Sequence, residues 1–168
     1  VKSAAPGLQD MAGRPIDGIW RRGKLIGIGC GEITLVIHLM QSGRLSLVAA
    51  GARAPGKIVA ATMTLDDRRE LRLREAATEH RLSLWVLPTD RVADLPLLAA
   101  LGPEPIGLGP QEWKTRLGSP PGRLSTALRE GRRVAGIGRA YASDIMWAAR
   151  LAPFARTDRL TDEQWGRL

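Results

Sequence analysis

Cysteine, histidine and single-ring aromatics are scarce in this chain, and each scarcity closes off a class of chemistry. One cysteine, Cys30, excludes an internal disulfide and any zinc cluster built on several cysteines, so no metal site is expected within these residues. Two histidines, His38 and His80, have neither a serine elbow nor a cysteine partner and so give no hydrolase triad. Phe154 and Tyr141 are the only Phe and Tyr, which leaves little for the stacking platforms of single-strand binders. No run approaches the roughly 20 apolar residues of a membrane span. Val1-Lys2-Ser3-Ala4-Ala5-Pro6 also lacks the hydrophobic segment of a signal peptide, so the expectation is a cytoplasmic protein with no membrane partner.

Positive charge is what the chain has in excess. Its 25 Lys and Arg stand against 17 Asp and Glu, a net charge of +8 and a pI near 10.9. The stretch 113–139 concentrates Lys114, Arg116, Arg123, Arg129, Arg132, Arg133 and Arg139 against the single acid Glu130. Such a patch is the electrostatic footprint of a polyanion binder, although charge alone fits a solvated arginine-rich face equally well.

With 44% hydrophobic positions the chain is long enough for one good-sized domain or two small ones. The first hundred residues read as antiparallel strands: 24–28 and 33–40 about the turn Gly29-Cys30-Gly31-Glu32, then 44–48, 57–65, 70–74 and 82–87. Ile33, Leu35, Ile37 and Leu39 mark one buried face. After Pro88 the period becomes helical. Leu95, Leu98 and Leu101 share one short helix, 111–117 and 123–129 form two more, and 141–149 carries Tyr141, Ile145 and Ala149 on one face. The expected fold class is α+β, an antiparallel β-sandwich over 1–103 followed by an all-helical domain over 104–168.

Both termini read as interior to a longer protein. The chain starts without methionine, and it stops just after Thr161 and Gln164 form a capping box, with Leu160 and Trp165 at the positions of a hydrophobic staple.

The segment richest in chemistry is Arg132-Arg133-Val134-Ala135-Gly136-Ile137-Gly138-Arg139-Ala140-Tyr141. Glycines at 136 and 138 permit a tight turn into a helix whose free N–H groups, flanked by Arg132, Arg133 and Arg139, form a phosphate seat. A dinucleotide loop is disfavoured, because Tyr141 stands where a third small residue belongs and no parallel βαβ unit surrounds it. An ordinary helix-to-helix turn accounts for the same residues on local physics alone.

Val134 to Ile145, followed by Ala148-Ala149-Arg150-Leu151-Ala152-Pro153-Phe154, resembles the helix-two-turns-helix signature of the formamidopyrimidine-DNA glycosylase and endonuclease VIII family. Arg21-Arg22-Gly23-Lys24 resembles its basic strand, His38-Leu39 with Ser42-Gly43 its intercalation loop, and Leu101-Gly102-Pro103-Glu104-Pro105 its interdomain segment. The resemblance spans nearly the whole chain. It implies a monomeric base-excision repair enzyme on damaged or abasic double-stranded DNA, a glycosylase and abasic-site lyase acting through an N-terminal proline. A non-catalytic paralogue recognising distorted duplex is the alternative. That proline, the glutamate after it and the C-terminal zinc finger of the family are not in this sequence, so zinc belongs only to a longer protein and the chain as given binds without cutting.

The resemblance also implies individual roles. Lys24 would contact phosphate beside the damaged sugar and assist turnover, with Arg21 and Arg22 adding charge around it, while His38 in the intercalation loop is structural or faces DNA. Gln41 takes the place of the family's wedge methionine, with Met40 beside it as a substitute. Arg139 replaces a phosphate-gripping asparagine, while Arg132, Arg133, Gly136, Gly138 and Tyr141 complete the DNA-binding set. Glu75-Ala76-Ala77-Thr78-Glu79-His80-Arg81-Leu82 lies where well-known members carry an Arg-Phe loop, and resembles the Thr-Glu-Ala-Gly-Thr type found in others.

Overall fold

Two antiparallel sheets and a set of short helices make up the computed structural model, which describes residues 1–3, 5–53, 58–76 and 78–168. The chain divides into two compact units, Val1–Val92 and Ala93–Leu168.

In the first unit, β1 (Gly18–Arg22), β2 (Leu25–Cys30), β3 (Ile33–His38) and β7 (Ser83–Pro88) form one sheet in that order. The second has β6 (Glu70–Glu75) between β4 (Gly43–Val48) and β5 (Val59–Thr64). Ile28, Cys30, Ile33, Leu35, Ile37, Leu84 and Val86 of the first sheet bury against Leu73 of the second, with Leu45, Ala61, Met63 and Leu71 packed alongside. This is the expected sandwich. Leu35 and Ile37 are fully buried, each contributing about 1.5–3 kcal/mol of apolar burial.

Strand bounds differ from expectation in instructive ways. Of the segment 21–24, matched above to a basic strand, only Arg21 and Arg22 are strand, at the end of β1, and Lys24, expected to open a strand, lies with Gly23 in the two-residue loop that joins β1 to β2. β3 ends at His38 instead of residue 40, because the Gly43 N–H donates to the Leu39 carbonyl at 2.9 Å and closes a turn. The expected start of β5 at Lys57 lies outside the described residues. β3 is also buried on both faces, since Val36 and Thr34 are as enclosed as Leu35. On the Val36 face, cross-strand register aligns Trp20, Gly27, Val36 and Trp85, and the Trp20 indole occupies the space above Gly27. Thr34 satisfies its hydroxyl with that of Thr89 at 2.9 Å.

The second unit contains α1 (Pro96–Ala99), α2 (Pro110–Gly118), α3 (Leu124–Arg129), α4 (Arg139–Ala148) and α5 (Asp162–Gly166). Its core joins Trp113 and Leu117 of α2, Leu124 and Leu128 of α3, Val134 and Ile137 of the following turn, Met146 of α4 and Trp165 of α5. The unit begins about ten residues before the expected boundary at 103. The reason is backbone pairing: the Gly102 N–H donates to the Gly131 carbonyl and the Ala135 N–H to the Pro103 carbonyl, which fastens 102–103 to the helical unit.

Helix α4 starts at Arg139, two residues before the expected Tyr141, and its buried stripe is Ala142, Met146 and Ala149 with Ile145 at the margin. Tyr141 therefore faces outward at 68% exposure. The Thr161 capping box forms as expected, with Gln164 N–H donating to the Thr161 hydroxyl at 3.2 Å and Thr161 N–H to the Gln164 side chain at 2.9 Å. Leu160 and Trp165 join the same core, which completes the staple.

Candidate nucleic-acid interface

Antiparallel register gathers three loops at one end of the sandwich. Arg22 pairs with Leu25, Leu25 with His38, His38 with Ser83, and Gly43 with Glu75. The loop 23–24, the turn 39–42 and the loop 76–82 all lie at that end, although up to about sixty residues of sequence separate them.

The first loop carries the basic cluster. Arg21 and Lys24 are exposed and Arg22 is half-buried, while Arg21 donates to the Gly23 carbonyl at 2.8 Å and so steadies the loop. His38 is half-buried. Burial first, and then the neighbouring charge of Lys24, lowers its pKa from the ordinary histidine value. Lys24 and His38 therefore share one electrostatic environment, a proximity that sequence reading had not drawn.

The turn 39–42 is held from two sides. A Cβ at residue 43 would overlap the Leu39 carbonyl, so glycine alone fits the chain reversal. Arg44 donates to the carbonyls of Gln41 at 3.2 Å and Gly43 at 2.8 Å. Met40 has a left-handed φ of 55° and is 42% exposed, and Gln41 beside it is exposed as well. Both candidate wedge residues thus sit at the tip.

The third loop is organised by a residue that sequence reasoning did not single out. Glu75 is 4% exposed, and its Oε1 accepts from the Arg81 N–H at 2.8 Å, the Leu82 N–H at 2.9 Å and the Ser42 hydroxyl at 3.4 Å. Burial pushes its pKa up, but these hydrogen bonds and the charge of His80, whose Nδ1 lies 3.8 Å away, outweigh burial and hold it below the ordinary glutamate range. One carboxylate therefore fastens the turn 39–42 to the loop 76–82. Ala77, within that loop, lies outside the described residues.

The helical unit presents a second cluster. Gly136 has φ 82°, the left-handed conformation that the turn into α4 needs. Gly138 is the N-cap of this ten-residue helix and offers no side-chain acceptor, leaving the N–H groups of its first turn to an external one. Arg139 and Arg132 are exposed, Arg132 with 78% of its side chain in solvent. Arg133 differs from expectation. It donates to Glu130 at 2.6 Å, to the Leu117 carbonyl at 2.8 Å and to the Pro120 carbonyl at 3.1 Å, with its side chain 10% exposed. It braces the turn and is not displayed to a ligand.

Comparison with known proteins bears on this geometry directly. Residues 2–79 match the formamidopyrimidine-DNA glycosylase N-terminal domain. Formamidopyrimidine-DNA glycosylase of Geobacter sulfurreducens is 34% identical over 160 residues, covering 94% of this chain and 58% of the relative. Its counterpart from Chloroflexus aggregans is 35% identical, covering 92% of this chain and 55% of the relative. Over nearly its whole length this chain is similar to formamidopyrimidine-DNA glycosylases. Its fold is that of Lactococcus lactis Fpg, solved in complex with an abasic site containing DNA, with a TM-score of 0.82 at 25% identity over 94% of this chain and 58% of that one. The chain thus spans a little over half the length of the relatives it matches.

Among the described residues no group of three His, Cys, Asp or Glu side chains is placed to hold a metal ion. No helix is long and apolar enough to cross a membrane.

Proposed function

We propose that the protein carrying residues 1–168 is a base-excision DNA glycosylase and abasic-site lyase that acts on damaged bases in duplex DNA. The gathering of a basic loop, an exposed Met40-Gln41 tip and a carboxylate-locked loop at one end of a sandwich supports this most strongly. A glycosylase needs cations for the backbone and a rigid protrusion to occupy the space left when a nucleotide leaves the stack. Similarity to formamidopyrimidine-DNA glycosylases suggests the chemistry.

In the proposed reaction a secondary amine at the start of the protein attacks the sugar carbon, the base departs with its bonding electrons, and a Schiff base remains. Elimination then breaks the strand. Such an amine is a good nucleophile when neutral, and its iminium is an electron sink. The amine and its partner glutamate are not among residues 1–168, and neither is any zinc-binding finger. These residues supply grip and positioning: Lys24 on phosphate with Arg21, Arg22 and His38 around it, Met40 and Gln41 at the tip, and Arg132, Arg139, Gly136, Gly138 and the outward Tyr141 about the α4 seat. The protein works as a monomer in the cytoplasm, at the nucleoid.

The test is borohydride trapping of the complete reading frame on an abasic-site duplex. A covalent adduct is the expected result. Salt-sensitive duplex binding with no adduct would overturn the enzymatic reading and leave a non-catalytic binder of distorted DNA.

A further inference from the structure

On the outer face of the second sheet, Arg44 of β4 stands directly opposite Arg74 of β6. Residues so paired have Cβ atoms about 4.5–5.5 Å apart, and like charges there are destabilising. Ordinary sheets relieve such a pair with an acid. Neither arginine has a carboxylate partner among the described residues: Arg44 donates only to the carbonyls of Gln41 and Gly43, and Arg74 only to the Ser46 hydroxyl at 3.3 Å. Arg44 is exposed and Arg74 half-buried, so each guanidinium keeps N–H groups that protein atoms leave unused.

The next arginine on this face shows the contrast. Arg72 is buried and paired at each guanidinium nitrogen, donating to the Glu70 carboxylate at 2.7 Å, to the Ala52 carbonyl at 2.6 Å and to the Arg53 carbonyl at 3.3 Å. Arg44 also steadies the turn 39–42 through its carbonyl bonds, but unlike Arg72 neither Arg44 nor Arg74 meets a carboxylate among the described residues, so the charge of the facing pair is left uncompensated.

We propose that Arg44 and Arg74 form a clamp for one phosphodiester of the duplex, beside the turn 39–42. An anion between them cancels the repulsion, and planar guanidinium forks suit phosphate oxygens. The bonds from Arg44 to the Gln41 and Gly43 carbonyls join the clamp to the turn that presents Met40 and Gln41. A phosphate held there aligns that tip against the strand. This inference rests on the duplex-binding reading above, and it assigns a contact to residues outside the basic loop and the α4 seat.

The experiment is a salt titration of abasic-duplex affinity for the complete protein, comparing wild type with R44Q, R74Q, R44Q/R74Q and R44K/R74K. For one phosphate released, the double glutamine variant should lose about 0.9 from the slope of log K against log salt, and each single variant part of that. The double lysine variant should keep the slope while binding more weakly, since charge survives and the fork is lost. Thermal midpoints separate these effects from misfolding. An unchanged slope in R44Q/R74Q, or weaker binding explained by a lower midpoint with the slope intact, would overturn the clamp. Wild-type protein without salt-dependent duplex binding would instead sink the DNA reading itself, and the clamp with it.

Discussion

Glu75 and Ser42 meet across thirty-three residues of sequence, the buried carboxylate accepting the hydroxyl at 3.4 Å while it also caps the Arg81 and Leu82 N–H groups. Hydrogen bonds to a charged acceptor are worth about 1.5–3 kcal/mol. Glu75→Ala should cost an amount of that order, with faster amide exchange at Arg81 and Leu82 before global unfolding. Glu75→Gln should fall between, since one amide oxygen cannot reproduce the carboxylate. Unchanged exchange at both amides would show that the loop holds itself without this residue.

The same carboxylate predicts a pH dependence. Its folded-state pKa lies below the ordinary glutamate value, so its stabilisation is complete above that ordinary value and is lost as pH falls through the lower, folded one. Urea midpoints measured from neutral pH downward should therefore drop across the acid range, and Glu75→Gln should flatten part of that drop. Parallel curves for the two proteins would assign the loss to other carboxylates.

Much of this was legible beforehand because it rests on local signals. The strand and turn pattern from residue 24 to 48, the helix punctuation at Pro110 and the Thr161 capping box all reappear near their expected places. What failed depended on partners distant in sequence. The alternation expected of β3 vanished because its second face, bearing Val36, is also covered. Arg133 looked like a surface cation because sequence does not show that the carbonyls of Leu117 and Pro120 converge on it. Glu75 and the Arg44–Arg74 pair emerge only once the β4–β6 register is known.

His38 offers a spectroscopic reading of the basic loop. Burial and the charge of Lys24 keep its imidazole neutral below the ordinary histidine pKa. Stability tied to this neutral ring is fully present above that ordinary value and is lost as pH falls through the lower, folded one. Lys24→Gln should shift the His38 titration upward, though not to the ordinary value while burial persists. Duplex binding should shift it upward too, because a phosphate beside Lys24 offsets the lysine's charge. An NMR titration that moves in neither case would separate Lys24 from the site.

The arginines of the α4 turn should divide into two behaviours. Arg132→Gln and Arg139→Gln remove exposed cations, so each should weaken duplex binding alike across sequences and take about 0.9 from the salt slope, with little change in thermal midpoint. Arg133→Gln strips the donors from Glu130 and from the Leu117 and Pro120 carbonyls, so it should cost about 2–3 kcal/mol of stability. Its own effect on the salt slope should be small once folding is restored by lower temperature. If Arg133→Gln instead kept full stability and lost salt dependence, the inward bracing role would be wrong and the phosphate seat would extend to all three arginines. Because the three lie within eight residues of one turn, sequence position cannot predict this division, and only the direction each side chain takes separates grip from scaffold.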